Sequence, residues 1–280
     1  MEISIVVPVY NITKNAIKHL PFVIKSLRSK YKDFELLFII DTVVVNKQIQ
    51  ELVSFREKYA EINIIFLHKN YGQHFATLCG YYLAKGDFIA CIDEDMTEHL
   101  IEISKTDEYR NFDVFYFYYN KNEMYKSSLR KLLSYTYLNI INKIVNLKKH
   151  STFRIISKEL RNRMLLEKHI FWNLDVMIFN NTKNIGSTSL YLSNISDKDT
   201  VYNYKKLSKM AFEIAYEHNT ILMNILFALM PAFLFFLVFI NFSVASILFI
   251  LLFILLQGAF SLKRKNTDST QNKILKALQY

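Results

Sequence analysis

Asp93 and Asp95 stand one residue apart, on either side of Glu94, where a short apolar run from Phe88 to Ile92 ends. Such a run, entered from the Gly86-Asp87 turn, predicts a strand buried on both faces, in which charges are costly and at whose end they are useful. Open parallel α/β sheets collect ligands outside the carboxyl ends of their strands. Alternation of side chains puts both carboxylates on one side. Mg²⁺ and Mn²⁺ prefer oxygen ligands, take one or two carboxylates and complete their shells with water and substrate phosphates. The pair therefore suggests a divalent ion carrying a phosphorylated ligand. Thr97, two residues on, offers a hydroxyl or a bound water to the same ion. Taken alone, Asp-x-Asp also describes an acidic loop, because short motifs arise readily by chance.

The elements that must position this pair are legible as alternation. Ile3 to Val9, Glu35 to Ile40, Ile62 to Leu67, Phe88 to Ile92 and Val114 to Tyr118 are short apolar runs separated by helical stretches. That pattern predicts an α/β, Rossmann-like, mainly parallel sheet. The loops after its first, second and fourth strands then gather Pro8, Tyr10 and Asn11, Asp41, and the Asp93/Asp95 pair around one crevice. The chain has no Gly-x-Gly-x-x-Gly and no Gly-Lys-Ser/Thr loop, which disfavours a dinucleotide enzyme or a P-loop NTPase. Phosphates would have to be held by metal and cations.

The 280 residues suffice for one sizeable domain and a smaller segment. From Ile221 to Leu262 there is no charged side chain, a run too long for one crossing of a ~30 Å hydrocarbon core at about 1.5 Å per residue. Two crossings fit, near Ile221 to Ile240 and Val244 to Phe260, with Asn241, Phe242 and Ser243 as the turn. Lys205, Lys206 and Lys209 precede the pair and Lys263, Arg264 and Lys265 follow it, so both ends are expected in the cytoplasm of a multi-pass membrane protein. The chain opens on a charged residue and a strand, from which no cleaved leader is expected. The expected organisation is a catalytic domain over 1–202, a juxtamembrane amphipathic helix over 203–220, two transmembrane helices over 221–262 and a basic tail over 263–280. Cys79 and Cys91 lack zinc-ligand spacing and read as packing residues, and the seven His show no metal motif. The net charge of +10 is spread along the chain and forms no recognised nucleic-acid motif, so nucleic acid is not an expected partner.

Val6-Val7-Pro8-Val9-Tyr10-Asn11, the Asp41 strand end, Asn70-Tyr71-Gly72-Gln73, Ala84-Lys85-Gly86-Asp87 and Asp93-Glu94-Asp95, in this order and spacing, resemble family 2 glycosyltransferases of the GT-A fold. Within that family the sequence is similar to the polyprenyl-phosphate glycosyltransferases, the dolichyl-phosphate mannose synthase and bactoprenol glucosyltransferase group. Thr152-Phe153-Arg154-Ile155-Ile156-Ser157 resembles that group's Asp-Phe-Arg-Leu segment, and the apolar pair at the carboxyl end resembles its membrane anchor. The resemblance implies that Pro8, Tyr10, Asn11, Asp41, Gln73 and Asp93 bind a nucleotide-sugar donor. Asp93 and Asp95 would hold Mg²⁺ or Mn²⁺ and the diphosphate, and Arg154 would meet the phosphates. It also implies that Arg130 and Ser134, one helical turn apart and in one row with Lys126, bind the phosphate of a polyprenyl acceptor.

Several stretches depart from the group's pattern. Ile40-Asp41-Thr42-Val43 stands where Asp-Asp-Gly-Ser is usual, Met96-Thr97-Glu98-His99 replaces Leu-Gln and prolines, and Lys121 stands near a usual Arg. The expected function is membrane-anchored, inverting transfer of a sugar from a nucleotide donor to polyprenyl phosphate at the cytoplasmic face of a lipid bilayer. A lipid monophosphate is already ionised, whereas a sugar hydroxyl acceptor would need a general base, for which Asp175 is the loose candidate. Transfer to a hydroxyl of a lipid-linked or surface glycan is the alternative, and a catalytically lapsed nucleotide-sugar-binding or scaffold protein is a third. Self-association of like chains stays open.

Overall fold

The computed structural model describes residues 1–119, 151–167, 174–190 and 270–278. Seven strands are named in chain order: β1 (Ile3–Val9), β2 (Phe34–Ile40), β3 (Ile62–Phe66), β4 (Phe88–Cys91), β5 (Val114–Tyr119), β6 (Arg154–Ser157) and β7 (Ile185–Leu190). Among the described residues six α-helices accompany them: α1 (Lys14–Lys30), α2 (Lys47–Lys58), α3 (Gln73–Leu83), α4 (Lys158–Leu166), α5 (Leu174–Asn181) and α6 (Thr270–Leu278). A 3-10 segment, Glu94–Lys105, follows β4.

The strands form one sheet in the order β3-β2-β1-β4-β6-β5-β7. The five strands expected from sequence are present to within a residue at each end. β1 pairs in parallel with β2 and β4, and β2 with β3. The alternation did not reveal β6 and β7. β6 is antiparallel to both of its neighbours, β4 and β5, so the mainly parallel expectation holds with one reversed strand.

β1 and β2 are buried along their whole length, as strands covered on both faces must be. Odd-numbered β1 residues Ile3, Ile5, Val7 and Val9 join a core with Ile17, Leu20, Ile24 and Leu27 of α1, and with Leu100 and Ile103 of the 3-10 segment. α3 covers the other face. There the backbone comes so close to the sheet that a Cβ at Gly80 would lie 2.2 Å from Val6 Cγ1 and 3.2 Å from Ile39 Cγ1.

Two local devices place the loops that follow β1, β2 and β3. Thr13 and Asn46 cap α1 and α2 by accepting the backbone N–H of Ala16 and Ile49. Gly72, at φ +92°, begins α3 from a conformation that disfavours side chains.

Among the described residues no helix is long and apolar enough to cross a membrane. The two crossings expected in 221–262, the amphipathic helix over 203–220, and Lys121, Lys126, Arg130 and Ser134 all lie outside the described residues. Gly80→Ala is expected to destabilise the fold by about 1–3 kcal/mol through overpacking against β1, read from urea unfolding.

Candidate active site

β4 ends at Cys91, and the chain leaves the sheet through Asp93, Glu94 and Asp95. Each of the three has a different surrounding. The Asp93 carboxylate accepts hydrogen bonds from the Gln73 side-chain amide and from the Thr152 hydroxyl. Burial pushes its pKa up to about 6 and Asp95 adds to the rise, while Thr152, Arg154 and Gln73 oppose it. Asp95 is half-buried on the same turn.

Glu94 turns the other way. It accepts the backbone N–H groups of Tyr10 at 2.6 Å and of Asn11 at 2.9 Å, which ties the end of β1 to the end of β4. Burial raises its pKa as well, against the pull of those two amides. Sequence reasoning assigned this residue no part. Its position between two site carboxylates at a strand end was the available signal.

Thr97 does not join the carboxylates. It is fully buried and its hydroxyl donates to the Ala16 carbonyl at 3.3 Å, so it packs the 3-10 segment onto α1 and drops out of the expected ligand set. The backbone kinks just before it, at Met96, which leaves helical geometry with φ −123° and ψ 19°. Among the described residues no three His, Cys, Asp or Glu side chains converge as a metal cage. The Asp93 and Asp95 carboxylates nonetheless suit a hard divalent ion, whose remaining ligands would be water and substrate oxygens.

Asp41, buried at the end of β2, also serves its neighbours. One carboxylate oxygen accepts the Tyr71 N–H at 2.7 Å and the other the Gly72 N–H at 2.8 Å. Burial raises its pKa, and the two amides offset part of that rise. Asp41 thus anchors the 70–73 loop, whose last residue, Gln73, reaches Asp93. Pro8 is buried within β1, beyond the point where β4 pairing stops at Val6, so its missing N–H costs no ladder bond there. Tyr10 is 61% exposed at the same rim. Asn11 is exposed too, and its Oδ1 accepts from Asn46 at 3.2 Å.

Arg154 arrives by way of the reversed strand. Because β6 runs against β4, its first residue lies opposite Cys91, next to the carboxylate end of β4. The side chain is 2% exposed. Its Nη1 donates to Asp175 at 2.5 Å and to the Ser151 carbonyl at 3.3 Å, and its Nε to the Tyr81 hydroxyl at 3.2 Å. Burial opposes its charge, but Asp175, Tyr81 and Tyr116 outweigh that and hold the guanidinium firmly protonated. The Tyr116 hydroxyl donates to the same Asp175 oxygen at 3.1 Å. Asp175 is therefore the buried partner of Arg154 and Tyr116.

Residues 4–169 match the family model described as "Glycosyl transferase family 2". The chain belongs to that family. One relative in it is the undecaprenyl-phosphate 4-deoxy-4-formamido-L-arabinose transferase of Proteus mirabilis (strain HI4320), 30% identical over 106 residues. That match takes in 37% of this chain and 32% of the relative, so the chain spans about a third of that protein's length. Among solved structures, glucosyl-3-phosphoglycerate synthase from Mycobacterium tuberculosis in complex with Mn²⁺, UDP-glucose and phosphoglyceric acid has a TM-score of 0.53 at 13% identity, covering 76% of each chain. The same enzyme with UDP gives 0.51 at 14%, covering 76% of this chain and 77% of that one. At such identities the likeness speaks for the shared GT-A sheet. Family 2 membership and the GT-A sheet are what these likenesses establish for this chain.

Arg154→Met leaves Asp175 buried without a cation and is expected to cost about 3–5 kcal/mol, most of it recovered in the Arg154→Met/Asp175→Leu double variant, measured by urea unfolding. A pH dependence follows from the buried acids. Asp41, Asp93 and Glu94 hold protons more tightly folded than unfolded. The stability they lend is fully present below their ordinary values of 3.8, 3.8 and 4.5, and it is lost as the pH rises through the folded values, for Asp93 through about 6. Metal-free protein is expected to lose stability across that range, with a shallower fall in Asp41→Asn.

Proposed function

We propose that the protein moves a sugar from a nucleotide-diphosphate sugar to a polyprenyl phosphate, with inversion, at the cytoplasmic face of a membrane. The observation that carries this reading is the placement of Asp175. A sugar hydroxyl acceptor needs a base to take its proton. Asp175, expected for that role, is 5% exposed and bonded to Arg154 and Tyr116. Accepting a proton there would strip a buried guanidinium of its counter-charge. A lipid phosphate arrives ionised and needs no base. The name of the Proteus mirabilis relative supports the same class of acceptor.

In this transfer a phosphate oxygen of the acceptor forms a bond to the sugar C1 as the bond from C1 to the diphosphate oxygen breaks. The electron pair leaves with the diphosphate. Mg²⁺ or Mn²⁺ held at Asp93 and Asp95 would supply Lewis-acid neutralisation of that charge. Gln73 and Thr152 orient Asp93, and Arg154 contributes a fixed positive field behind it. Tyr10 and Asn11 stand open at the rim for the nucleoside, and Asp41 sets the backbone that faces it.

Two features support the membrane placement. Residues 221–262 carry no charge. α6, which follows them, packs on α3 and α4 of the catalytic domain. The chain must therefore return to the side of the membrane where it started, which requires an even number of crossings, and two fit the length. On this reading 1–202 with α6 makes the catalytic domain, 203–220 approaches the bilayer, and Lys126, Arg130 and Ser134 meet the lipid phosphate.

Membrane-reconstituted full-length protein, given a panel of nucleotide sugars, Mn²⁺ and undecaprenyl phosphate, is expected to yield a lipid-phosphate sugar identified by mass. Asp93→Asn/Asp95→Asn should lower the rate by about 10²–10³-fold or more, and excess chelator should abolish it. Transfer to glycan hydroxyls in preference to the lipid would overturn the acceptor. Donor binding without turnover on any acceptor would identify a lapsed enzyme.

A further inference from the structure

α6 is nine residues long, TQNKILKAL. Helices shorter than about 12–15 residues are marginal in water, so it depends on what it packs against. Thr270, Ile274 and Ala277, at i, i+4 and i+7, form one buried face. Both ends are fastened. The Thr270 hydroxyl donates to the Glu167 carbonyl at the end of α4, at 2.7 Å. At the other end the Ala277 carbonyl lies 3.3 Å from His68 Nδ1.

That second contact leads into the site. A carbonyl only accepts, so Nδ1 is the donor toward Ala277, while the Tyr71 hydroxyl sits beside the same ring, 2.8 Å from Nε2 and 3.1 Å from Nδ1. The Tyr71 ring stands edge-on to His68 and stacks on Phe75 of α3, with centroids 5.1 and 4.7 Å apart. The backbone of the same tyrosine, with that of Gly72, supplies the two amides that Asp41 accepts. The next residue, Gln73, donates to Asp93.

We propose that α6 is a positioning element of the donor site: through His68 and Tyr71 it holds the 70–73 loop in the conformation that serves Asp41 and Asp93. A segment that follows the uncharged run thereby becomes part of the machinery on the catalytic domain, and its docking controls how well the donor loop is organised. The placement of the donor at this loop rests on the function proposed above, whereas the control of the loop by α6 does not.

The test uses the full-length chain without ligand. Hydrogen–deuterium exchange at the Tyr71 and Gly72 amides is compared in wild type, Ile274→Asp and Ile274→Leu. Ile274→Asp is expected to speed exchange at both amides about tenfold or more while β1 and β2 stay protected, and Ile274→Leu to restore the wild-type rate. Free exchange in α6 with Tyr71 and Gly72 unchanged would overturn the proposal. Tyr71→Phe removes the hydroxyl and leaves the apolar face of α6 intact, so it separates loop control from folding. It is expected to speed Gly72 exchange with α6 still protected, and no change at Gly72 would overturn the link through His68. With a donor that turns over, Ile274→Asp is expected to raise its KM several-fold with kcat changed far less, a split that general loss of folded protein would not give. Failure to find any donor would count against the transferase reading and leave the exchange result standing.

Discussion

A guanidinium buried beside carboxylates is the constraint around which this site is arranged. Removing Arg154 from water is unfavourable, and its cost is met by Asp175 at 2.5 Å with Tyr81 and the Ser151 carbonyl on its remaining donors. The arrangement exists because β6 runs against β4, which brings the first residue of one strand beside the last of the other. In a fully parallel sheet, Arg154 would lie at the far end from Asp93. Strand direction, a property of topology, therefore decides the electrostatics of the site.

The consequence for Asp93 is a balance. Burial and Asp95 favour its neutral form, while Arg154, Thr152 and Gln73 favour the charged one, and burial wins by enough to leave its pKa near 6. Burial therefore outweighs the charged and donating groups that the protein sets beside this carboxylate. Asp41 and Glu94 share the imbalance, but their oxygens are occupied by backbone amides. These two acids organise backbone, whereas Asp93 is held by side chains, those of Gln73 and Thr152.

Periodicity made part of this legible in the sequence. β1 to β5 appear as apolar runs because strands covered on both faces must be apolar, and Asp41 and Asp93 stand out because a charge ends each run. β6 and β7 lack that signature. Arg154 opens β6, and β7 reads Ile-Gly-Ser-Thr-Ser-Leu with an alternating, partly exposed face. Roles were less legible than positions. Thr97 sits two residues past Asp95, which in a strand would place it on the same side, but the chain is by then in 3-10 geometry and the hydroxyl meets α1. Asp175 reads in the sequence as a loose candidate for a general base because its partner, Arg154, is 21 residues away.

The same reasoning explains why Asn70-Tyr71-Gly72-Gln73 carries several functions in four residues. Gly72 takes φ +92°, which lets consecutive amides point at one carboxylate and starts α3 with no side-chain cap. A loop held only by two amide bonds would open easily, since backbone bonds near solvent are weak net contributors. Tyr71 adds a ring stacked on Phe75 of α3 and a hydroxyl contact to His68, which in turn meets the Ala277 carbonyl of α6. A loop with these additional contacts keeps Gln73 aimed at Asp93. On the proposed reading, the order of the loop beside Asp93 depends on residues some two hundred positions later in the chain, beyond its uncharged run.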